Sequence, residues 1–231
     1  MKEAHFFDRE RPQRQGINFY VKRFDHCSSS GANLIMDATP ETFLHPQRVF
    51  NLYARPDAAS AMSTLKLIVT LREPVFRELS VYNHMLFWNS SDVVLNNSTI
   101  VPFEQYAQNV LRDKISNKPE RSTGFYVDHI KKWVSLFGRN RILLLSYDEL
   151  KENPSIFQRR VQEFLGISST THDISHMNTM DSPGKVRTVA PLARQVLGPV
   201  FRKKTDELYE YLNAHPGPPM EQNPFPRFRV Y

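Results

Sequence analysis

The sequence contains little cysteine and no long apolar run, and both absences exclude classes of protein. Cys27 is the single cysteine among 231 residues, so neither an intramolecular disulfide nor a zinc site built from several cysteines is possible. No apolar stretch approaches the roughly 18 residues that a membrane-spanning helix requires. The first residues are charged and lack the apolar region of a signal peptide. As written, the sequence predicts a soluble chain.

The residues that are present are typical of a folded domain with a basic surface. Hydrophobic residues make up 40% of the chain and aromatic residues 12%, which is a globular composition. The formal net charge of +6 suits an anionic ligand, but solvated lysines would account for it equally well. Three Asn-x-Ser/Thr triplets, beginning at Asn89, Asn96 and Asn97, would accept N-linked glycans in a secretory lumen.

Short apolar runs predict three strands, and helical periodicity fills the intervals between them. The strands are expected at residues 33–37, 65–71 and 141–146, and helices at 41–53, 74–87, 103–115, 124–137, 155–165 and 192–212. Strands that alternate with helices favour a parallel sheet flanked by helices. In such sheets ligands bind at the carboxyl ends of the strands, where Asp37, Arg72 and Ser146 are expected to lie.

The segment LREPVFRELS places an arginine at the end of a strand and a serine in the helix that follows. Pro74 suits the first position of that helix, where no backbone N–H is required. The Arg72 guanidinium, the free N–H groups of the helix N-terminus and the Ser80 hydroxyl together would bind a phosphate monoester. The spacing alone also fits a surface arginine and a helical serine that bind nothing.

The pattern Arg-x-Pro-x-x-Arg-x-x-Ser after LIVTL resembles the 3′-phosphate site of sulfotransferases that use 3′-phosphoadenosine 5′-phosphosulfate (PAPS). Further segments resemble heparan-type Golgi members in the same order: KEAHFFDRERPQRQGINFYVKRF, MDATPETF, GFYVDHIKKWVSLFGRNRILLLSYDELKENPSIFQRRVQEFLGI and SPGKVR. The resemblance implies a three-layer α/β fold like that of P-loop NTPases. It implies an enzyme that transfers a sulfonyl group from PAPS to a hydroxyl or amine of a carbohydrate. It also implies a Golgi location through an N-terminal membrane anchor that is not in this chain.

The resemblance assigns roles to particular residues. Arg72 and Ser80 would bind the 3′-phosphate, and Lys185 and Arg187 would reach the nucleotide from the late loop SPGKVR. Asp37 falls where the family has a glutamate that acts as general base, although aspartate is one methylene shorter. Asp37 would alternatively cap the turn that follows its strand.

Neither a metal nor a nucleic-acid partner is expected. The histidines His5, His45, His84 and His129 show no metal-ligand spacing in the sequence, and we expect them to have ordinary structural roles. Arg77 resembles the second arginine of the phosphate motif and is expected to brace the loop.

The largest departure from the family is the missing glycine–lysine–threonine loop that cradles the 5′-phosphosulfate. We expect one sulfotransferase domain over residues 1–231, incomplete at its N-terminus and ending in a proline-rich tail at 214–231. Two alternatives are an inactive module that binds adenosine 3′,5′-bisphosphate (PAP) or an acidic glycan, and a second chain that completes the sheet. A nucleotide kinase shares the fold type, but the absence of a Walker loop argues against it.

Overall fold

The computed structural model describes residues 4–10, 14–24, 34–95, 99–117, 122–168, 185–218 and 225–229. Cys27, Asn96, Asn97 and Gly184 lie outside the described residues. The chain forms two compact units, one within Met1–Leu65 and Lys131–Gly138, the other within Lys66–Ile130 and Arg139–Tyr231. Among the helices that the structure describes, none is both long enough and apolar enough to cross a membrane.

The described helices and strands follow a single order along the chain. They are α1 (Gly16–Val21), α2 (Pro46–Tyr53), α3 (Ala59–Thr64), β1 (Leu67–Leu71), α4 (Pro74–Phe87), α5 (Phe103–Asn109), α6 (Tyr126–Phe137), β2 (Ile142–Ser146), α7 (Tyr147–Glu152), α8 (Pro154–Leu165) and α9 (Pro191–Ala214). Short 3-10 turns lie at Lys22–Phe24, Pro40–Leu44, Pro56–Ala58 and Arg139–Arg141, and a π-helical segment, Val110–Ser116, continues α5. The last two strands and the helices α4, α6, α8 and α9 agree with the sequence predictions to within a few residues, and the range predicted at 41–53 contains a 3-10 turn followed by α2. The helix predicted at 103–115 changes to π-helix at Val110. Helices α1, α3 and α7 were not predicted.

The first unit is helical and is organised around aromatic side chains. Phe6, Phe7 and Tyr20 form one buried cluster, with ring centroids 4.8–5.2 Å apart. Trp133 stacks on Phe137 at 5.3 Å. The indole Nε1–H of Trp133 donates to the carbonyl of residue 43 at 2.9 Å. This tryptophan therefore has a structural role, because it is buried and its polar atom is satisfied inside the core.

The predicted strand at 33–37 is wrong for its described residues, since 34–39 have no regular structure. Leu34, Ile35 and Met36 are 48%, 56% and 69% exposed. An apolar run forms a strand only where a neighbouring strand takes up its backbone hydrogen bonds. No described strand lies beside this run, so the apolar pattern was not sufficient to predict a strand.

The second unit contains the sheet. β1 and β2 pair in parallel, with Leu67 opposite Ile142 and Leu71 opposite Ser146. All five residues of β2 are buried, whereas in β1 only Leu71 is fully buried and Thr70 is exposed. This register has a consequence for function: the residues that directly follow the two strands leave the sheet side by side.

Helices α4, α5 and α9 pack against one another through a core of apolar side chains. This core includes Val75, Leu79, Tyr82, Phe103, Tyr106, Phe125, Leu197 and Phe201. Gly166 ends α8 with φ of 72°, as its place after the last periodic residue predicts. Of the proline-rich tail, residues 225–229 are described, and there the backbone N–H of Phe228 donates to the Tyr209 hydroxyl at 2.6 Å. This part of the tail is docked on α9.

Candidate functional site

Arg72 lies at the carboxyl end of β1, directly beside the end of β2. Its guanidinium carbon is 4.7 Å from the centroid of the Tyr147 ring and 5.7 Å from that of Phe76. The Tyr126 hydroxyl donates to the Arg72 carbonyl at 2.8 Å and fixes the backbone there. A guanidinium held between aromatic rings loses less conformational freedom when it binds an anion. These contacts restrict the Arg72 side chain, which suits the anion-binding role that the sequence predicts.

The start of α4 departs from the prediction of free N–H groups. The Glu73 carboxylate caps this helix and accepts the backbone N–H of Phe76 at 2.9 Å. Glu73 is also buried, with Arg194 Nη1 3.7 Å from its Oε1. The N–H of Phe76 is therefore occupied, and an anion at Arg72 would rely on side-chain cations more than on the helix N-terminus.

A pair of hydrogen bonds joins α4 to the late loop. Asn83 Nδ2 donates to the Val186 carbonyl at 2.8 Å, and the Val186 N–H donates to Asn83 Oδ1 at 2.9 Å. Ser80 is exposed and lies three residues before Asn83, hence on the same face of the helix. Lys185 and Arg187 flank Val186, so the backbone of the late loop that carries both residues passes beside the face of α4 that carries Ser80 and Asn83. Their contact with the nucleotide stays a prediction. Gly184, which precedes them in the resembling motif, is outside the described residues.

Three further residues near Arg72 have roles that the sequence analysis missed or left open. Arg194, in the first turn of α9, places its guanidinium carbon 5.4 Å from the Phe76 ring centroid. Lys151 lines a small pocket together with Arg72 and Tyr147. Arg77 pairs with the buried carboxylate of Glu78 at 2.6 Å, which suits a bracing role. The sequence did contain a signal for Arg194, because it is a basic residue one turn into the helix that follows the late loop.

Asp37 belongs to the first unit, whereas Arg72, Ser80, Lys185 and Arg187 belong to the second. Its Oδ1 accepts the backbone N–H of Thr39 at 3.0 Å and the Thr39 hydroxyl at 2.7 Å. Its Oδ2 accepts the Tyr20 hydroxyl at 3.2 Å. Burial, together with the neighbouring Tyr53 and the Asp37 carboxylate, raises the pKa of Tyr20 above its ordinary value. Asp37 therefore caps the turn that follows it, which is the alternative that the sequence left open.

A second carboxylate in the first unit orients a histidine. Nδ1 of His5 lies 2.8 Å from Oδ2 of Asp8, whose side chain is only 7% exposed. Burial opposes ionisation of Asp8, but the hydrogen bond from His5, together with a backbone hydrogen bond and the charges of His5 and Arg9, holds the pKa of this carboxyl below its ordinary value. The Asp8 carboxylate thereby fixes the orientation of the His5 ring.

The sequence analysis did not predict the His5–Asp8 pair, because it considered only the spacing between histidines. Ligand atoms of His5, Asp8 and Glu41 all lie within 4.8 Å of one another. Oδ1 of Asp8 is buried without a hydrogen-bond partner among the described residues. The signal available was a histidine followed three residues later by an aspartate. Because these donors also suit a divalent cation, the absence of a metal stays a prediction.

Residues 2–190 match the family model described as the sulfotransferase domain. The chain belongs to the sulfotransferase domain family. The match covers most of the sequence and confirms the resemblance on which the choice of site residues rests. It also excludes the alternative of a nucleotide kinase. The roles of the individual residues stay predictions.

Several relatives of this sulfotransferase chain have heparan sulfate in their names. It is 24% identical over 170 residues to heparan sulfate glucosamine 3-O-sulfotransferase 5 of Mus musculus, covering 72% of this chain and 45% of that protein. It is 28% identical over 177 residues to heparan sulfate glucosamine 3-O-sulfotransferase 3B1 of Mus musculus, covering 74% and 40%. Bifunctional heparan sulfate N-deacetylase/N-sulfotransferase 2 of Homo sapiens is 23% identical over 170 residues, covering 72% and 18%. The chain thus spans less than half the length of these curated relatives.

A solved structure of a sulfotransferase from Alicyclobacillus acidocaldarius has the same fold. The two superpose with a TM-score of 0.56 at 23% identity, over 92% of this chain and 83% of the other. At this identity the likeness concerns the fold alone. The predicted α/β sulfotransferase fold is confirmed.

Proposed function

We propose that this protein transfers a sulfonyl group from PAPS to a hydroxyl or amine of a carbohydrate. The observation that carries the proposal is the arrangement around α4. Arg72 precedes this helix, and its guanidinium lies against the Tyr147 and Phe76 rings. The Asn83–Val186 hydrogen bonds hold the backbone of the late loop, which carries Lys185 and Arg187, beside the face of α4 that carries Ser80. An arginine, a serine and two further cations on these neighbouring segments suit the 3′-phosphate of the donor.

The residues present fit the 3′-phosphate side of the donor and not its 5′-phosphosulfate. No Gly-x-x-Lys-Ser/Thr loop occurs in the sequence. When bound, PAPS would supply the sulfonyl group, with the S–O bond to its 5′-phosphate breaking as the acceptor bonds to sulfur. The chain's cations would hold the nucleotide and screen its negative charge. The alternative of an inactive binding module receives no support from the relatives, which are named as transferases.

The acceptor's proton requires a base, and we propose Asp37 for this role, because it holds the position to which the family resemblance assigns the base. Its carboxylate accepts hydrogen bonds from Thr39 and from the Tyr20 hydroxyl, which fix its orientation. We propose a glycosaminoglycan acceptor, because several relatives are named for heparan sulfate. We propose a Golgi lumen because the family resemblance implies it.

The experiment combines donor binding with transfer. Calorimetry with PAP should give micromolar affinity for the wild type, and Arg72→Ala should lose it, while Arg159→Ala, at an exposed arginine of α8, should not. Radiolabelled sulfate from PAPS should then appear on desulfated heparan sulfate. PAP binding without transfer would overturn the transferase proposal. Absence of both in a protein that unfolds cooperatively would overturn the nucleotide site as well.

The proposed role of Asp37 is tested by transfer and by stability. Asp37→Asn should abolish sulfonyl transfer with PAP affinity unchanged. It should also lower stability, because an amide NH₂ would replace a carboxylate oxygen that faces Thr39. His5→Asn serves as the control and should retain transfer. Transfer retained by Asp37→Asn would overturn the proposed base.

A further inference from the structure

Two large aromatic side chains are exposed where α4 ends. Phe87 is 43% exposed and Trp88 is 66% exposed. Their ring centroids are 5.2 Å apart at an interplanar angle of 88°, so they form one aromatic corner. Adjacent exposed aromatic rings have a hydration cost that a covering group would remove. Phe87 and Trp88 together are the aromatic corner.

The residue after the aromatic corner has an unusual and well-defined backbone. Asn89 has φ of 48°, in the left-handed region that asparagine tolerates better than most residues. Its N–H donates to the Leu86 carbonyl at 3.1 Å, and the N–H of Ser90 donates to the Met85 carbonyl at 2.9 Å. These are the two hydrogen bonds of a Schellman helix end. Asn89 thus terminates α4 with its backbone fixed and its side chain exposed.

Asn89 is also the first residue of an Asn-Ser-Ser triplet, in which Ser91 supplies the hydroxyl. We propose that Asn89 carries an N-linked glycan, and that the first sugar covers the aromatic corner. In the reaction the Asn89 amide nitrogen bonds to the anomeric carbon of a lipid-linked oligosaccharide pyrophosphate. The anomeric C–O bond breaks, the lipid pyrophosphate leaves with the electron pair, and the amide loses one proton to a base.

The geometry explains why the sugar should pack there. One face of a pyranose ring carries mainly C–H groups and stacks on aromatic rings, as apolar surfaces do. Phe87 and Trp88 directly precede the modified residue, and the Schellman end prevents that residue from swinging away. The glycan would remove exposed aromatic surface that otherwise favours aggregation. The inference rests on the proposed lumenal location and not on sulfonyl transfer.

The modification is tested on the full chain, secreted from mammalian cells behind a cleavable signal. Mass spectrometry of the peptide that contains Asn89 should find a glycan on most molecules. Ser91→Ala should abolish it without changing the residue at the left-handed position, and Ser91→Thr should retain or increase it. A secreted wild-type protein with unmodified Asn89 would overturn the proposal. Because no donor or acceptor of sulfate is involved, failure of sulfonyl transfer would leave this result standing.

The covering of the aromatic corner is tested by fluorescence. The chain has two tryptophans, of which Trp133 is 4% exposed, so acrylamide quenching reports mainly on Trp88. The glycosylated wild type should be quenched at least about twofold less steeply than Ser91→Ala, which keeps Asn89 but carries no glycan there. Trp88→Leu should be quenched little in either form. Equal quenching of the wild type and Ser91→Ala would overturn the packing, and the glycan would then be a flexible attachment only.

Discussion

Asn83 and Val186 are 103 residues apart in the sequence, yet each donates one hydrogen bond to the other. The side-chain amide of Asn83 satisfies both backbone groups of Val186, as a strand partner would. The late loop is thereby held on α4 at the residue between Lys185 and Arg187. This clamp is the structural reason for placing both cations in the proposed nucleotide site.

Breaking the clamp should release the late loop. In Asn83→Ala the N–H and carbonyl of Val186 lose these hydrogen bonds, which are worth about 1–3 kcal/mol together. We therefore expect trypsin to cleave after Lys185 and Arg187 about fivefold to a hundredfold faster than in the wild type. PAP affinity should fall with it. Asn109→Ala, on α5, serves as the control. Unchanged cleavage in Asn83→Ala would show that the loop is held by other contacts.

The Tyr147 ring should matter for donor binding through its face and not its hydroxyl. Tyr147→Phe keeps an aromatic surface 4.7 Å from the Arg72 guanidinium and should bind PAP as the wild type does. Tyr147→Leu removes the surface and should weaken PAP binding about fivefold, since a cation–π contact is worth roughly 1 kcal/mol. Calorimetry measures both. Equal losses in the two variants would point to the hydroxyl instead.

The stability of the first unit should fall in mild acid because of His45. Burial and the neighbouring Arg48 lower the pKa of His45, against an opposing effect of Asp8. His45 therefore binds a proton near pH 6.5 in the unfolded chain but only at lower pH in the folded chain. The free energy of unfolding decreases as the pH falls through this range. Denaturant midpoints at pH 7.5 and 5.5 should differ less in His45→Gln than in the wild type. His84→Gln, at an exposed position, should retain the wild-type difference.

Two glycine substitutions should shift stability in opposite directions. A Cβ at Gly124 would lie 2.5 Å from Cε1 of Phe201, a buried core ring, so Gly124→Ala should cost about 1–3 kcal/mol through overpacking. At Gly198, inside α9, the nearest atom to a new Cβ is 3.8 Å away, so Gly198→Ala should gain up to about 1 kcal/mol from helix propensity. Thermal unfolding measures both, with roughly 2–4 °C per kcal/mol expected at this size. A stabilised Gly124→Ala would contradict the packing described.

Several features of this protein were determined by the sequence itself, because they depend on neighbouring residues. Pro74 at a first helical position and Gly166 after a last one define where helices begin and end. The continuous apolar run of β2 and the period of α4 set their type for the same local reason. The phosphate motif at Arg72 and Ser80 is likewise readable without coordinates.

Only the tertiary structure decided the features that join distant segments. The apolar run at 34–36 predicted a strand, but pairing with a second strand is a long-range condition that no local pattern contains. The stacking of Arg72 on Tyr147 follows from the register between β1 and β2, and the Asn83–Val186 clamp follows from how the late loop meets α4. Glu73 meets Arg194 of α9 at 3.7 Å only because α4 and α9 come together in the folded chain. Sequence determined the elements, and packing determined which side chains meet, because side-chain contacts depend on the distances between elements and not on their order.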